Sequence, residues 1–435
     1  MRINFFPADA DQVASQIESL NRCANKPLAV VVGDSINALG VVRSLGRERI
    51  GVVWLTSTAT SHVLYSRFTG CIVVVEDLYG EGFIITLKGI SQYFSFPPVL
   101  FVTHDDQVRI LSDFRTELNK YYRFSLPSRD LVNRLLSKHG FRKIAESHGL
   151  KIPFSYEINN YEEWKDFMQG ANRKGKWVVK PAVKNDSFEN VFGKATEIHE
   201  MEDWEKLDLL FAGVQTPIII QQKIPGPDSN VLFCLTLFDA SRNCLASFSG
   251  KKLRQYKPYV GSTASAGGFL DPIVKERTIR FFKECGFQGM GSLEFKKSSL
   301  DGDSYVIEPT IGRTDLQSEV ASINGCNMVA MYYYFLVGDI DRLEKIQTVA
   351  NLNKGDRTWI RVDADIKACL YYLRRKELTY LNCIRPYFSR VSFSLFRFSD
   401  PMPSLIYLRR SMLDLVKRSL NWILHRVVYA SKKSL

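Results

Sequence analysis

The sequence predicts an α/β N-terminal domain built on a doubly wound parallel sheet, then α+β lobes, then a basic helical C-terminal region. Three observations carry this. Over the first 127 residues, β-branched runs alternate with helix-like segments, the pattern of a parallel sheet with crossover helices. Between residues 150 and 350, apolar runs instead flank short polar turns, the pattern of hairpins. The net charge of +12 is confined to one end: residues 366–435 hold 14 Lys/Arg against 3 Asp/Glu, and the rest of the chain holds 44 against 43. At 435 residues the chain exceeds one ordinary core, and these shifts divide it at 1–127, 128–225, 226–350 and 351–435.

The elements follow in order. Leu28–Gly33 is a strand running into a turn and a helix through Leu45, and Gly51–Leu55, Cys71–Val75 and Val99–Val102 are further buried strands. Gly33 and Gly40 lie where a dinucleotide loop would be, but their spacing is not G-x-G-x-x-G, so a plain strand-to-helix turn is expected. Residues 128–150 read as helical, closed by Gly149. Trp177–Pro181 and Pro217–Gln222 read as strands. Two hairpins follow, one turning at Asp239–Asn243 and one at the D-G of Ser299–Asp303.

Composition excludes several classes. Hydrophobic residues at 45% and charged residues at 24% are values of a globular chain. Met1–Pro7 does not read as a signal peptide, and no apolar run approaches the roughly 20 residues of a spanning helix. Eight cysteines without a C-x-x-C pair or a histidine at ligand spacing argue against a disulfide framework or structural zinc and for a reducing cytoplasm.

Candidate site residues are cations and carboxylates at strand ends and strand centres. Lys138 and Lys180 are each compact point charges of the kind a triphosphate needs, although either alone also reads as a surface lysine. Lys180 is the stronger, because it interrupts a Val-Val-Lys-Pro strand end. Gln221, Gln222, Lys223 and Ile224 lead a strand into a Pro-Gly turn and offer backbone N–H and C=O groups to an adenine edge. A strand followed by a turn accounts for them equally well. Glu294 and Glu308 sit near the centres of two strands joined by one hairpin, where like charges repel unless they share a cation, and magnesium takes a few carboxylates together with phosphate oxygens. With Arg313 nearby, a metal pair is read in preference to two outward-facing glutamates. Arg254 and Arg313, each near a glycine, are forked donors suited to a γ-phosphate and a developing acyl phosphate, whereas Lys251 and Lys252 read as surface charge.

The order of these features is similar to that of ATP-grasp proteins. Lys138 with Phe141, Ala145, Gly149-Leu150 and Ile152-Pro153 resembles their first lysine segment, Lys180-Pro181 their second lysine, and Gln221–Gly226 their adenine hinge. Glu294 and Glu308 resemble the two metal glutamates, and Arg313 the basic residue after them. The stretch Lys252–Tyr256 with Gly261–Ala264 and Glu308–Thr314 is similar to a bacterial carboxylate–amine ligase-like subgroup, distantly like the D-aspartate ligases of peptidoglycan. The resemblance spans roughly residues 28–405, with residues 28–127 like the pre-ATP-grasp domain. It implies an ATP-dependent ligase that activates a small-molecule carboxylate as an acyl phosphate and passes it to an amine, in cell-envelope or exopolysaccharide metabolism. It further implies Mg2+ (or Mn2+) with ATP, Asp228 near the ribose, and a homodimer. Two positions depart from the pattern. Residues 182–193 hold one glycine where a glycine-rich lid is usual, leaving Lys184, Asn185 and Ser187 to cover the phosphates, and Thr310 stands where an asparagine often ligates a second metal. Both favour an alternative: a non-catalytic ATP-binding protein docked at the inner membrane surface.

At the C-terminal end, Leu405, Leu408, Met412, Leu415, Val416, Leu420, Ile423 and Val427 recur at three- and four-residue steps, with Arg409, Arg410, Lys417, Arg418, His425 and Arg426 largely off that stripe. An amphipathic basic helix across residues 405–430 either packs on the protein or lies on an anionic membrane, which would place the chain in the cytoplasm, peripheral at the inner membrane. Nucleic acid is not expected, since no recognised binding motif accompanies the charge.

Overall fold

A computed structural model describes residues 3–170, 176–182, 188, 195–198, 201–213, 217–352, 355–414 and 417. The proposed lid residues Lys184, Asn185 and Ser187, and the stripe residues Leu415, Val416, Leu420, Ile423 and Val427, lie outside these described residues.

The N-terminal sheet is parallel throughout and has five strands: β1 (Ile3–Phe5), β2 (Ala29–Val32), β3 (Val52–Thr56), β4 (Cys71–Val74) and β5 (Val99–Phe101), in the order β1-β4-β3-β2-β5. Four of these are the strands expected from the sequence, and β1 joins them at the edge. Strand β2 shows why its residues are almost all aliphatic. Val30 and Val32 enter one core and Ala29 and Val31 another, so both faces of the sheet are covered. Gly33, at φ +144°, ends β2 where an added Cβ would come 2.2 Å from Thr103 Oγ1, so the turn into the next helix needs a residue without a side chain.

Residues 128–150 form two helices rather than one, Arg129–Leu136 and Lys138–Ser147. Ser137 breaks them: its ψ of 128° is extended, and its hydroxyl accepts from the Gly140 N–H at 3.2 Å to start the second helix. Gly140 permits the corner, since a Cβ there would lie 2.5 Å from the Arg134 carbonyl oxygen.

Two more sheets complete the molecule. A small antiparallel sheet holds β6 (Ser155–Ile158), β7 (Trp177–Pro181), β8 (Thr196–Ile198) and β9 (Ile218–Gln222) in the order β6-β9-β7-β8. A large sheet holds β10 (Val231–Phe238), β11 (Cys244–Tyr256), β12 (Ser262–Gly268), β13 (Gly289–Lys297), β14 (Ser304–Ile311), β15 (Arg357–Ile360) and β16 (Arg390–Phe393) in the order β14-β13-β10-β11-β12-β15-β16. Both expected hairpins are present. The region after residue 350 supplies helices at Val362–Arg374, Tyr380–Ile384 and 402–414, and it also adds β15 and β16 to the large sheet.

The cores show which parts pack together. Strand β10 is buried on both faces, placing Leu232, Cys234 and Phe238 in one cluster and Phe233, Leu235 and Leu237 in the other, and both clusters also contain the N-terminal domain. The small sheet has a cluster of its own, built on Trp164, Phe167, Trp177, Val179, Trp204 and Ile220. A buried ion pair ties the two ends of the chain to the large body. The Arg43 Nε donates to Asp400 Oδ2 at 2.8 Å, and its other nitrogens reach the carbonyls of Ser394 at 2.8 Å and Leu395 at 2.7 Å. Asp400 is fully buried and also accepts from Ser66 and the Arg67 N–H.

Removing Arg43 would strand that carboxylate. Arg43→Ala is expected to lower unfolding free energy by about 3–5 kcal/mol, and Arg43→Met with Asp400→Leu to recover most of it. Denaturant unfolding followed by tryptophan fluorescence measures this, and a loss below about 1 kcal/mol for the single variant would contradict a uniquely placed pair.

Candidate active site

Adjacent strands of an antiparallel pair place directly opposed residues on the same face, and β13 pairs with β14 so that Glu294 lies opposite Glu308. The two carboxylates therefore share one face of the large sheet. Glu308 is open to the cleft. The protein volume packed around that cleft, and then the Glu294 charge, push its carboxyl above the ordinary glutamate range, against the pull of Lys252, Lys180 and Arg313. Asp315 is pushed up likewise, by burial first, with Arg313 opposing and Glu294 adding.

Cations from three places converge on this carboxylate pair, and a fourth, Lys138, sits at the strand end that carries one of them. Lys252 of β11 is 4% exposed, and its Nζ donates to Glu294 Oε2 at 2.8 Å and to Gln255 Oε1 at 3.1 Å. Gln317, on the helix Leu316–Ile323, donates to Glu294 Oε1. Lys180, at the end of β7 in the small sheet, donates to Gln221 Oε1 at 3.2 Å; burial lowers its pKa while Glu308 raises it. Lys138 begins the helix after Ser137 and donates to the Pro181 carbonyl, which brings both expected lysines to one strand end. Arg313 follows Gly312, whose φ is +65°, and its guanidinium forks onto Asp105 of the N-terminal domain.

The hinge side is polar and partly committed. Gln222 and Lys223 donate their backbone N–H groups to the carbonyls of Phe154 and Lys176, each at 2.8 Å. The Lys223 Nζ lies 2.6 Å from Glu197 Oε1 and 4.3 Å from the Tyr259 ring centroid. Ile224 continues from it into the Pro225-Gly226 turn, whose Pro225 carbonyl accepts from Ser299 at 3.0 Å.

Two expected residues are placed elsewhere. Arg254 is 3% exposed and makes a double hydrogen bond to Asp365, Nε to Oδ1 at 2.8 Å and Nη2 to Oδ2 at 2.7 Å. The cause is a bulged strand: β12 pairs Lys252 with Ala266 but Arg254 with the adjacent Ser265, so the two side chains leave on opposite faces. Asp228 is 3% exposed, and its carboxylate accepts from Gln255 N at 3.1 Å, Gln255 Nε2 at 3.0 Å and the Tyr372 hydroxyl. It organises the cleft wall and is not open to a ribose.

Sequence reasoning passed over Lys252, Gln317, Lys296 and Asp105. Consecutive lysines on a strand must point to opposite faces, so one of Lys251 and Lys252 was bound to enter the concave side; Lys251 lies instead 4.4 Å from the Phe269 ring centroid. Lys296 stands two residues beyond Glu294 and donates to the Pro227 carbonyl at 2.7 Å. Burial, opposed by Asp228 and reinforced by Lys223, brings its pKa down to about 8. No sequence signal marks Asp105, which lies 208 residues from its partner Arg313.

No family model matches the chain. A D-aspartate ligase from Enterococcus faecium (strain Aus0004) is 22% identical over 376 residues, covering 80% of this chain and 85% of that protein. Among solved structures, an ADP complex of N5-carboxyaminoimidazole ribonucleotide synthetase superposes with a TM-score of 0.55 at 11% identity, over 72% of this chain and 77% of that one. An L-amino acid ligase from Bacillus licheniformis gives a TM-score of 0.53 at 16% identity, over 72% and 74%. At these identities the likeness establishes the fold, and the chemistry has to come from the residues.

The raised Glu308 carboxyl has a consequence for stability. A folded-state pKa above the unfolded value means that ionising the group costs stability at neutral pH, and that this cost disappears once both states are protonated. Glu308→Gln is therefore expected to raise the melting temperature of the ligand-free protein at pH 7, with the gain vanishing below the ordinary carboxylate range. Melting curves across pH test this; a lower melting temperature at pH 7 would show that Glu308 is already compensated.

Proposed function

Because the chain has the ATP-grasp fold, we propose that it is an ADP-forming carboxylate–amine ligase. The observation that carries this is the opposed pair Glu294 and Glu308, ringed by Lys180, Lys252 and Arg313. Two carboxylates on adjacent strands with phosphate-binding cations around them are a donor set suited to magnesium and a triphosphate. Magnesium held by Glu294 and Glu308 would neutralise phosphate charge. Lys180 and Lys252 then supply point charges to the phosphate oxygens, and Arg313, oriented by Asp105, faces the transferred group. A substrate carboxylate oxygen attacks the γ-phosphorus and ADP leaves; the amine nitrogen next attacks the acyl carbon and phosphate leaves. The adenine edge is read by Ile224 and the hinge carbonyls, since the neighbouring N–H groups of Gln222 and Lys223 serve the small sheet. The similarity to a D-aspartate ligase supports a small substrate of the amino-acid class, and we extend this reading to an amine acceptor and a place in cell-envelope chemistry.

A second reading, attachment of the C-terminal helix to an anionic membrane, is favoured by one observation. In the described part of that helix the stripe residues Leu405, Leu408 and Met412 are exposed. Among the described residues no helix is long and apolar enough to cross a membrane.

Two experiments test the ligase. Mg-ATP at a hundredfold excess over Kd should stabilise the wild type by about 2.7 kcal/mol, a gain lost in Lys180→Ala. ADP release should then appear with one pair in a screen of carboxylates and amines, and should be abolished in Glu294→Gln. Binding without ADP release across the screen would replace the ligase with a nucleotide-binding protein. The second concerns Lys296, which is cationic below about pH 8 and neutral above it. ATP affinity should fall by about tenfold as pH rises through that value, the worth of one charge-assisted hydrogen bond. Lys296→Met should flatten the profile; an unchanged profile would remove Lys296 from the nucleotide site.

A further inference from the structure

A second cavity, of about 760 Å3, opens away from the carboxylate pair. It lies at the opposite end of the helix Leu316–Ile323, whose first turn carries Gln317; eight residues of α-helix span about 12 Å. Four arginines line it, Arg47, Arg357, Arg390 and Arg397, against a single lining carboxylate, Asp356. They arrive from four different elements: the end of the helix Ile36–Arg47, β15, β16 and the segment after β16. Phe393, Phe396 and Phe398 complete the mouth, and Phe398 is 93% exposed.

Internal pairing accounts for part of this charge. Arg397 donates to the buried Glu319 at 3.0 Å, and Arg390 lies 2.9 Å from Asp356 on an exposed edge. The helices Ile36–Arg47 and Leu316–Ile323 both end at the cavity, and two C-terminal dipole ends together offset about one charge. Arg47 hydrogen-bonds the hydroxyls of Ser322 at 2.7 Å and Ser44 at 3.3 Å, and among the described residues neither Arg47 nor Arg357 forms an ion pair. One positive charge and several forked N–H donors are thus left facing a concave space. The Arg47 guanidinium carries a mark of this crowding. Desolvation by the protein packed around it is the main cause of its lowered pKa, with Glu319 opposing and Arg397 and Arg43 adding smaller contributions to the fall.

We propose that this cavity binds a soluble diphosphate ester whose organic portion packs on Phe396 and Phe398. Guanidinium forks on several elements match the spread oxygens of a diphosphate better than the two oxygens of one carboxylate. The volume is that of a site for a nucleotide-sized molecule, well beyond what a lone anion fills. The aromatic mouth supplies a stacking surface for a ring. The site is separate from the ATP cleft, so it stands whether or not the chain is a ligase.

The test is titration calorimetry of the full chain with inorganic pyrophosphate and with UDP, on the wild type, on Lys180→Ala, and on Arg357→Glu with Arg390→Glu. Both substituted arginines have exposed side chains, so the double variant should fold, as its melting curve will show. Binding of UDP to the wild type and to Lys180→Ala, reduced at least tenfold in the arginine variant, is the expected result. Tighter binding of UDP than of pyrophosphate locates the ring on the phenylalanines, and equal binding would leave the phosphate site and overturn the aromatic part. Failure of both probes to bind, or binding that survives the arginine substitutions, would overturn the site itself.

Discussion

Two like charges are held face to face, and much of the cleft is arranged around that fact. Opposed glutamates at the centre of an antiparallel pair repel each other, and a sheet built only for stability would not place Glu294 across from Glu308. Relief comes from outside the pair. Lys252 reaches it from two strands away, Gln317 from the following helix, Lys180 from another sheet, and Arg313 from the loop between. None of these contacts is available until the corresponding element has docked. The electrostatic problem on β13 and β14 therefore fixes where β11, the helix Leu316–Ile323 and the end of β7 must come.

The manner of docking differs on the two sides. The N-terminal domain shares both large apolar clusters with the large sheet, and polar ties reinforce the seam: Arg313 to Asp105, and Asn37 Nδ2 to the Thr314 carbonyl at 2.8 Å. The small sheet keeps its own aromatic core and meets the cleft through polar groups, Lys138 on Pro181, Lys180 toward Glu308 and Lys223 over Tyr259. Apolar burial makes the first seam rigid. A joint of polar contacts rearranges at lower cost, and it carries the lysines that a triphosphate would draw in.

Elements whose pattern is local were legible in the sequence. Strands β2 to β5 are short β-branched runs, and both hairpins announce their turns. The glutamate pair was legible because a hairpin fixes which residues can face each other. What escaped depends on geometry that no pattern encodes. A single hydroxyl at Ser137 splits a helical run, the three residues of β1 are too few to show periodicity, and β15 and β16 hide within an arginine-rich stretch. Arg254 reads as a phosphate donor from its residue type beside a glycine, but β11 is bulged on either side of it and the side chain goes to Asp365 instead. Its partner Asp365 lies 111 residues away, as invisible to local reading as Asp105 was for Arg313.

The C-terminal charge shows the same limit from another direction. Counted along the chain, an excess of 14 basic residues over 3 acidic ones after residue 365 reads as the property of one amphipathic helix. In the folded molecule, part of that charge is not on the helix at all. Arg390 begins β16 and Arg397 follows it, and both turn into a cavity where Arg47, from the N-terminal domain, and Arg357 meet them. Composition records how much charge a segment carries, while pairing decides where the field lies. Here Glu319 and Asp356 neutralise two arginines, and the remainder faces a concave surface bounded by low-dielectric protein, where field lines are focused. A basic segment can thus act through its tail, through a formed pocket, or through both, and only the fold separates them.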